Sequence, residues 1–235
     1  MTQIMSSYKY GGAAIDSLHS IFEKNLQDWI KDYASIREIE IPGKHFLCQQ
    51  GDRCTDFFWI KEGIVKLSYL TLQGNTLTLA LLTRDSIIGH LQYNASDQTM
   101  EESAQVLDKV ICYRIGHDDF RQLISSRTDL SWLVFESMHT RQQQIEHKLR
   151  MILTQPVEQR VIATLLELAQ LFGVRCTHGY SQEIFLTQQE LADLVGASRS
   201  MVSTIKNNFR NCGMLDYTRE QICINDAALR ANNFH

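Results

Sequence analysis

LTQQELADLVGASRSMVSTIKNNF, residues Leu186–Phe209, decides how the chain is read. Thr187 and Glu190 stand three apart ahead of an apolar run, the spacing of a capping box, so a helix starts there. Leu191, Leu194 and Val195 recur at helical spacing and mark its buried face. Gly196-Ala197-Ser198 interrupts that pattern, and Ser198 is a good N-cap for a second helix running from Arg199 to about Asn211. In the second helix Val202, Ile205 and Phe209 point inward, while Arg199, Ser200, Ser203, Thr204, Asn207 and Arg210 point outward. Two short helices joined by a glycine-containing turn, the second with a polar and cationic outer face, make a helix-turn-helix. Past Glu190 the only acid before Asp216 is Asp193, on the first helix. The candidate DNA-contacting set is Thr187, Gln188, Ser198, Arg199, Ser200, Ser203, Thr204, Lys206, Asn207 and Arg210.

Composition bounds the rest. A chain of 235 residues, 44% hydrophobic, can bury ordinary cores in one large domain or two smaller ones. No run of about 18 apolar residues occurs, so no membrane span is expected. The opening MTQIMSSYKYGGAA lacks an apolar signal region, so a cytoplasmic location is expected. Six cysteines are scattered without a CxxC pair, so they are read as reduced thiols and no metal site is expected. The net charge of −4 is unusual for a nucleic-acid binder, but Arg199, Lys206 and Arg210 concentrate positive charge on one helix. Phosphate neutralisation needs charge at the contact rather than over the whole molecule.

Working back along the chain, Pro156 follows Thr154-Gln155, a natural hinge because the residue before a proline resists the α region. Pro156 opens a helix to Phe172, stopped by Gly173. A β-run over Glu183–Leu186 precedes the helix-turn-helix, and MLDYTREQICIN after it reads as a strand pair turning near Arg219-Glu220. Ahead of the hinge, Asp129 caps a long helix to about Leu153. Its Val134, Met138, Ile145 and Ile152 fit a loose heptad seam with Arg141 and Lys148 at inward positions, a pattern that favours a parallel two-helix dimer over a helix lying on its own barrel. His117–Ser125 is a short helix. From Arg37 to Ile115, short β-prone runs are punctuated by Gly43, Gly51, Gly63, Gly74 and Gly89, indicating an all-β barrel or sandwich. Pro42-Gly43 is a type II turn candidate and Gln73-Gly74-Asn75 a hairpin turn. Residues 1–14 read as poorly ordered, and Leu18, Ile21, Phe22, Leu26, Trp29 and Ile30 predict a helix over 15–36, capped by Asp16 or Ser17.

This order of parts resembles the Crp/Fnr family of bacterial transcription regulators over about residues 15–230, most specifically through LTQQELADLVGASRSMVSTI. Gln159–Cys176 is especially similar to the cyanobacterial nitrogen-control branch. The resemblance implies an α+β fold: a cyclic-nucleotide-binding-type β-roll with an N-terminal helix over residues 1–128, a dimerisation helix over 129–153, and a winged helix-turn-helix over 154–235. It implies a homodimer that binds double-stranded DNA, works with RNA polymerase and has no catalytic residues. Arg199 matches the family arginine that reads a guanine, and bidentate arginine to guanine is the commonest specific base contact. Ser200 and Thr204 replace a frequent glutamate and second arginine, so the half-site is expected to depart from the TGTGA type.

The sensor side matches less well. Gly89-His90-Leu91 stands where cyclic-AMP-responsive members have Gly-Glu-Leu, and Met100-Glu101-Glu102-Ser103 where they have an Arg-Ser pair. A glutamate there repels a cyclic phosphate, which argues against cyclic AMP. The chain also lacks cysteines before Cys48, which argues against an iron–sulfur cluster. Arg141 and Glu146 match the pattern by which the nitrogen regulator holds 2-oxoglutarate, although a second arginine near Met100 is missing. The candidate pocket is Ile88, Gly89, His90, Leu91, Arg141 and Glu146, with 2-oxoglutarate or another small carboxylate as the ligand. An Arg141–Glu146 ion pair across the dimer is the alternative use of those charges. Two other functions stay open: a constitutive DNA-binding regulator with a filled roll, and a metabolite-binding enzyme on a cupin-like roll, for which no HxH or HxxxE spacing is found.

Overall fold

The structure, a computed structural model, describes residues 25–26, 28–90, 99–176, 179–182, 186–217 and 222–225. A helical segment, α1, covers residues 28–32 with residues 25 and 26, and eight strands follow: β1 (Arg37–Ile41), β2 (Phe46–Cys48), β3 (Asp56–Glu62), β4 (Val65–Leu70), β5 (Thr76–Leu82), β6 (Ile87–Ile88), β7 (Ser103–Val106) and β8 (Val110–Gly116). Five helices and four more strands complete the order: α2 (His117–Ser126), α3 (Thr128–Thr154), α4 (Val157–Phe172), β9 (Gly173–Cys176), β10 (Gly179–Gln182), α5 (Gln188–Val195), α6 (Arg199–Asn211), β11 (Leu215–Tyr217) and β12 (Ile222–Ile224). The chain divides into two compact units, one taking in residues up to Gly74 and Leu79–Gln143, the other Asn75–Thr78 and Gln144–His235.

The first unit is built on two antiparallel sheets, ordered β1-β8-β3-β6 and β2-β7-β4-β5. Alternation along β3 shows why they close on each other. Phe58 and Ile60 face the space between the sheets, joined by Val65, Leu67, Ala80, Leu82, Ile88, Ala104, Val106, Val110 and Cys112. Phe57 and Trp59 point the other way, into a second core with Tyr113, Ile115, Phe120, Leu123, Leu130, Leu133 and Val134. Successive strand residues face opposite sides, so one strand serves both cores: the roll interior, and the layer of α1, α2 and the start of α3. Ser35 fastens that layer, donating from N and Oγ to Asp119 Oδ2 (3.0 and 2.6 Å) and accepting from Gly116 N (2.9 Å).

The second unit carries the sheet β11-β12-β10-β9 beside α4, α5 and α6. Val161, Ile162, Leu165, Leu168 and Ala169 of α4, Leu191, Ala192 and Val195 of α5, and Val202 and Phe209 of α6 are all buried.

Several local expectations change. The turn after β1 bonds His45 N to Pro42 O and places Lys44, not Gly43, at positive φ, so it is not a Pro-Gly type II turn. Gly43 is needed for another reason: a Cβ there would sit 2.2 Å from the Asp108 carbonyl oxygen. Asp129 does not cap α3 but lies in its first turn, held by Arg127 through Nε (3.0 Å) and Nη2 (2.7 Å). Gly173 stops α4 after Phe172 as expected, but in extended backbone rather than a left-handed cap, and begins β9. The β9–β10 pair was not anticipated; Glu183, Ile184 and Phe185, residues 1–24 and the turn near Arg219-Glu220 lie outside the described residues.

Candidate functional site

The helix-turn-helix is set by the caps that its sequence requires. Thr187 N donates to Glu190 Oε2 (2.9 Å) and Glu190 N donates to Thr187 Oγ1 (3.1 Å), a complete capping box. The Thr187 hydroxyl also donates to Glu190 Oε2 (2.9 Å) and is committed to the cap. Gly196 ends α5 in the left-handed region at φ 65, a conformation open to glycine at little cost, and Ala197 N closes the turn on Ala192 O (3.0 Å). Ser198 Oγ then accepts from Met201 N (3.3 Å) and starts α6.

On α6, Arg199, Ser200, Thr204, Asn207 and Arg210 are exposed and Ser203 is half-buried. Ser198 and Ser200 hydroxyls lie 3.1 Å apart, and Thr204 Oγ1 donates back to Ser200 O (3.1 Å). Gln188 is half-buried on α5. Arg210 Nε lies 3.4 Å from Asp216 Oδ1 at the start of the following strand pair, so part of its charge is balanced. Lys206 is the correction. Its side chain is 4% exposed, so it belongs to the inner face of α6 with Val202 and Phe209, and desolvation by that burial lowers its pKa. The helical repeat already implied this, since 202, 206 and 209 share a face. A lysine's long apolar stem allows such a position. Arg160, which the sequence reading passed over, is also buried. It reaches from α4 toward the Gly196 carbonyl (Nη1 to O, 3.5 Å), beneath the turn between the two helices.

On the sensor side, Ile88 is fully buried in the roll interior, and Gly89, at φ 142, stands where a Cβ would meet the Phe57 ring at 2.4 Å. Leu91 lies outside the described residues. Within one chain Arg141 does not pair with Glu146, which is exposed on the next turns of α3. Instead Arg141 Nη2 donates to Oε1 of Glu102, just ahead of β7. His90 Nε2 lies 3.3 Å from the other carboxylate oxygen, Oε2. Glu102 is 7% exposed at its side chain, Arg141 24% and His90 23%. The residue read as an obstacle to an anionic ligand is therefore the partner of the arginine read as that ligand's anchor. A hollow of about 400 Å³ on the roll is lined by Gln50, Gly51, Tyr69, Thr99, Met100 and Glu101, none of them a predicted pocket residue.

Burial pushes the pKa of the Cys48 and Cys112 thiols up to about 12, far from the thiolate that reactivity requires. Among the described residues no group of three His, Cys, Asp or Glu side chains could hold a metal ion, and no helix is long and apolar enough to cross a membrane.

Comparison with known proteins agrees with this arrangement. A model of the cyclic nucleotide-binding domain matches residues 38–127, and a model of the Crp-like helix-turn-helix domain matches residues 159–230. The chain belongs to the Crp/Fnr family. It is a DNA-binding transcription regulator and not an enzyme. It is 29% identical over 180 residues to the cAMP-activated global transcriptional regulator CRP of Salmonella typhimurium, covering 76% of this chain and 83% of the relative. It is 25% identical over 187 residues to the global nitrogen regulator of a Nostoc strain, covering 78% and 83%. Among solved structures, the c-di-GMP responsive global regulator CLP of Xanthomonas campestris aligns with a TM-score of 0.73 at 17% identity, over 84% of this chain and 98% of that one.

Proposed function

We propose that this Crp/Fnr regulator acts in the cytoplasm as a homodimer, closed along α3, that presents two α6 helices to a two-fold-symmetric DNA site. The observation that carries this is the outer face of α3. Phe135, Met138, Ile145, Leu149 and Ile152 are 69%, 50%, 38%, 55% and 37% exposed. With Gln142 they are spaced 3-4-3-4-3, a heptad seam over nearly three heptads. A continuous exposed apolar stripe of this kind marks an interaction surface, and a helix seam most simply meets its own copy about a two-fold axis. The two α6 helices would enter major grooves about 34–36 Å apart. Arg199 at the start of α6 is the proposed guanine reader, and Ser200 and Thr204 give a half-site unlike the TGTGA type. RNA polymerase is the proposed protein partner on DNA.

Of the two effector readings, the Glu102–Arg141 pair favours the constitutive one, because Arg141 already holds a carboxylate. The other keeps 2-oxoglutarate or a related small carboxylate as ligand. Selection of bound DNA from a random pool, with and without 2-oxoglutarate and cyclic AMP, tests both. A palindrome enriched equally under all conditions supports constitutive binding. Enrichment only with 2-oxoglutarate establishes the effector, and no palindrome under any condition refutes the dimeric reader.

A further inference from the structure

We propose that Arg141 and His90 form a receptor for one carboxylate and that Glu102 is its intramolecular ligand. The proposal rests on the constitutive reading above for its effect on DNA, though not for its binding chemistry. A guanidinium from α3 and an imidazole from the end of β6 converge on the two oxygens of a single carboxylate: Arg141 at Oε1, His90 Nε2 at 3.3 Å from Oε2. Charge-assisted hydrogen bonds are the strong ones for a carboxylate; Arg141 makes one to Glu102, and His90 Nε2 stands at ion-pair distance from the second oxygen rather than in hydrogen-bond geometry. The neighbours of Glu102, Met100 and Ala104, are in the roll interior, 3% and 0% exposed.

The link has a mechanical consequence. Leu130, Leu133 and Val134 seat the first turns of α3 by apolar contact. Farther along, Ser137 Oγ donates to Asp85 O (3.2 Å), and Arg141 to Glu102 follows one turn on. Arg141 thus fastens α3 beyond its apolar seat, and removing its anion leaves a partly buried cation without compensation. A tethered carboxylate has an effective concentration that free acids in solution do not match, so Glu102 keeps the receptor filled. The chain should then ignore small anions because of one side chain, and removing that side chain should convert a self-liganded protein into one that responds to formate or acetate.

The test uses full-length protein and two substitutions, Glu102→Ala and Glu102→Gln, read by DNA affinity and thermal unfolding at constant ionic strength. Glu102→Ala should weaken specific DNA binding on the order of tenfold, the effect of stripping a buried cation of its partner. Sodium formate or acetate at tens of millimolar should restore both readouts where sodium chloride does not. Glu102→Gln, whose amide still fills the space, should be folded, weakened and not rescued. The pair Glu102→Ala with Arg141→Ala should show no rescue, and the unsubstituted protein no response. If Glu102→Ala is unfolded, rescue is read as recovery of helical circular dichroism on adding formate. Rescue of the double variant equal to that of Glu102→Ala, absence of rescue in Glu102→Ala, or a response of the unsubstituted protein to acetate each overturns the proposal. Thermal rescue with no change in DNA affinity retains the receptor and overturns its link to DNA, while absence of DNA binding by the unsubstituted protein defeats the functional reading alone.

Discussion

Two neighbouring stripes on α3 have opposite fates. Residues 134, 141 and 148 form one: Val134 is buried in the roll's outer core, Arg141 holds Glu102, and Lys148 Nζ donates to the Thr78 carbonyl oxygen. Residues 135, 138, 142, 145, 149 and 152 form the other, and every one of them is exposed. A seven-residue spacing recurs in both, so periodicity alone cannot say which is the seam. The expected seam combined members of each, with Val134 beside Met138, Ile145 and Ile152 and the two cations turned inward. The structure separates them. Charges on the first stripe are satisfied within the chain, and only the second is left for another molecule. One residue of rotation on a helix distinguishes a fold contact from an assembly contact.

The sharpest way to break this division is to charge the exposed stripe. Ile145→Asp with Leu149→Asp should give a folded monomer by sedimentation. Specific DNA affinity should fall on the order of a hundredfold, because the two half-sites are then bound independently. A dimer that survives would return the seam to residues 134, 141 and 148. Next in size is Arg199→Ala, expected to cost about 1–3 kcal/mol at one base pair of each half-site. Affinity measured on a set of single-base variants of the selected site checks this, and a uniform loss across the set would make Arg199 a phosphate contact.

Thr187→Ala acts one level lower, on folding. It removes the hydroxyl that accepts from Glu190 N and should destabilise the chain by about 0.5–2 kcal/mol, read by denaturant unfolding. The logarithmic salt dependence of DNA binding should stay unchanged, since that slope counts phosphate contacts. Lys206→Met is the complementary substitution. A buried lysine makes no phosphate contact, so affinity should stay within about twofold and the salt slope should not move. A slope reduced by about one unit would put Lys206 back on the DNA face.

Legibility followed the range of the interaction. The capping box of α5, the Gly196 turn and the Ser198 cap are local, made between residues at most four or five apart, and LTQQELADLVGASRS specifies them almost completely. The roll was legible through its glycine-punctuated strands, whose alternation divides Phe57 and Trp59 from Phe58 and Ile60. What the sequence did not disclose is long-range pairing. Arg141 has an acid five residues away in Glu146, yet its partner is Glu102, 39 positions back, brought there by β7. A glutamate repels an anionic ligand, but Glu102 also neutralises the protein's own cation, which only the fold brings within reach. For Lys206 the local pattern suffices: its helical phase, shared with Val202 and Phe209, sets its face, and its charge does not.

Lys148 offers the smallest and most specific measurement on the satisfied stripe. Desolvation lowers its pKa to about 8, opposed by the charge of Asp193, against about 10.4 for a lysine in an unfolded chain. Between those two values the unfolded state binds more protons than the folded one, so this group makes stability rise with pH through that window. The penalty for burying the ammonium is therefore fully present below about pH 8, lessens as the folded-state amine deprotonates, and is gone above the unfolded pKa. The neutral amine can still donate to the Thr78 carbonyl, so the fastening itself survives deprotonation. Other lysines titrate in the same range, and Lys148→Met isolates the contribution. The stability of the unsubstituted protein minus that of Lys148→Met, from thermal unfolding at steps between pH 7 and pH 10, should rise with pH. A difference that is flat or falling would mean that Lys148 is solvated, and the stripe would then be satisfied only as far as Arg141.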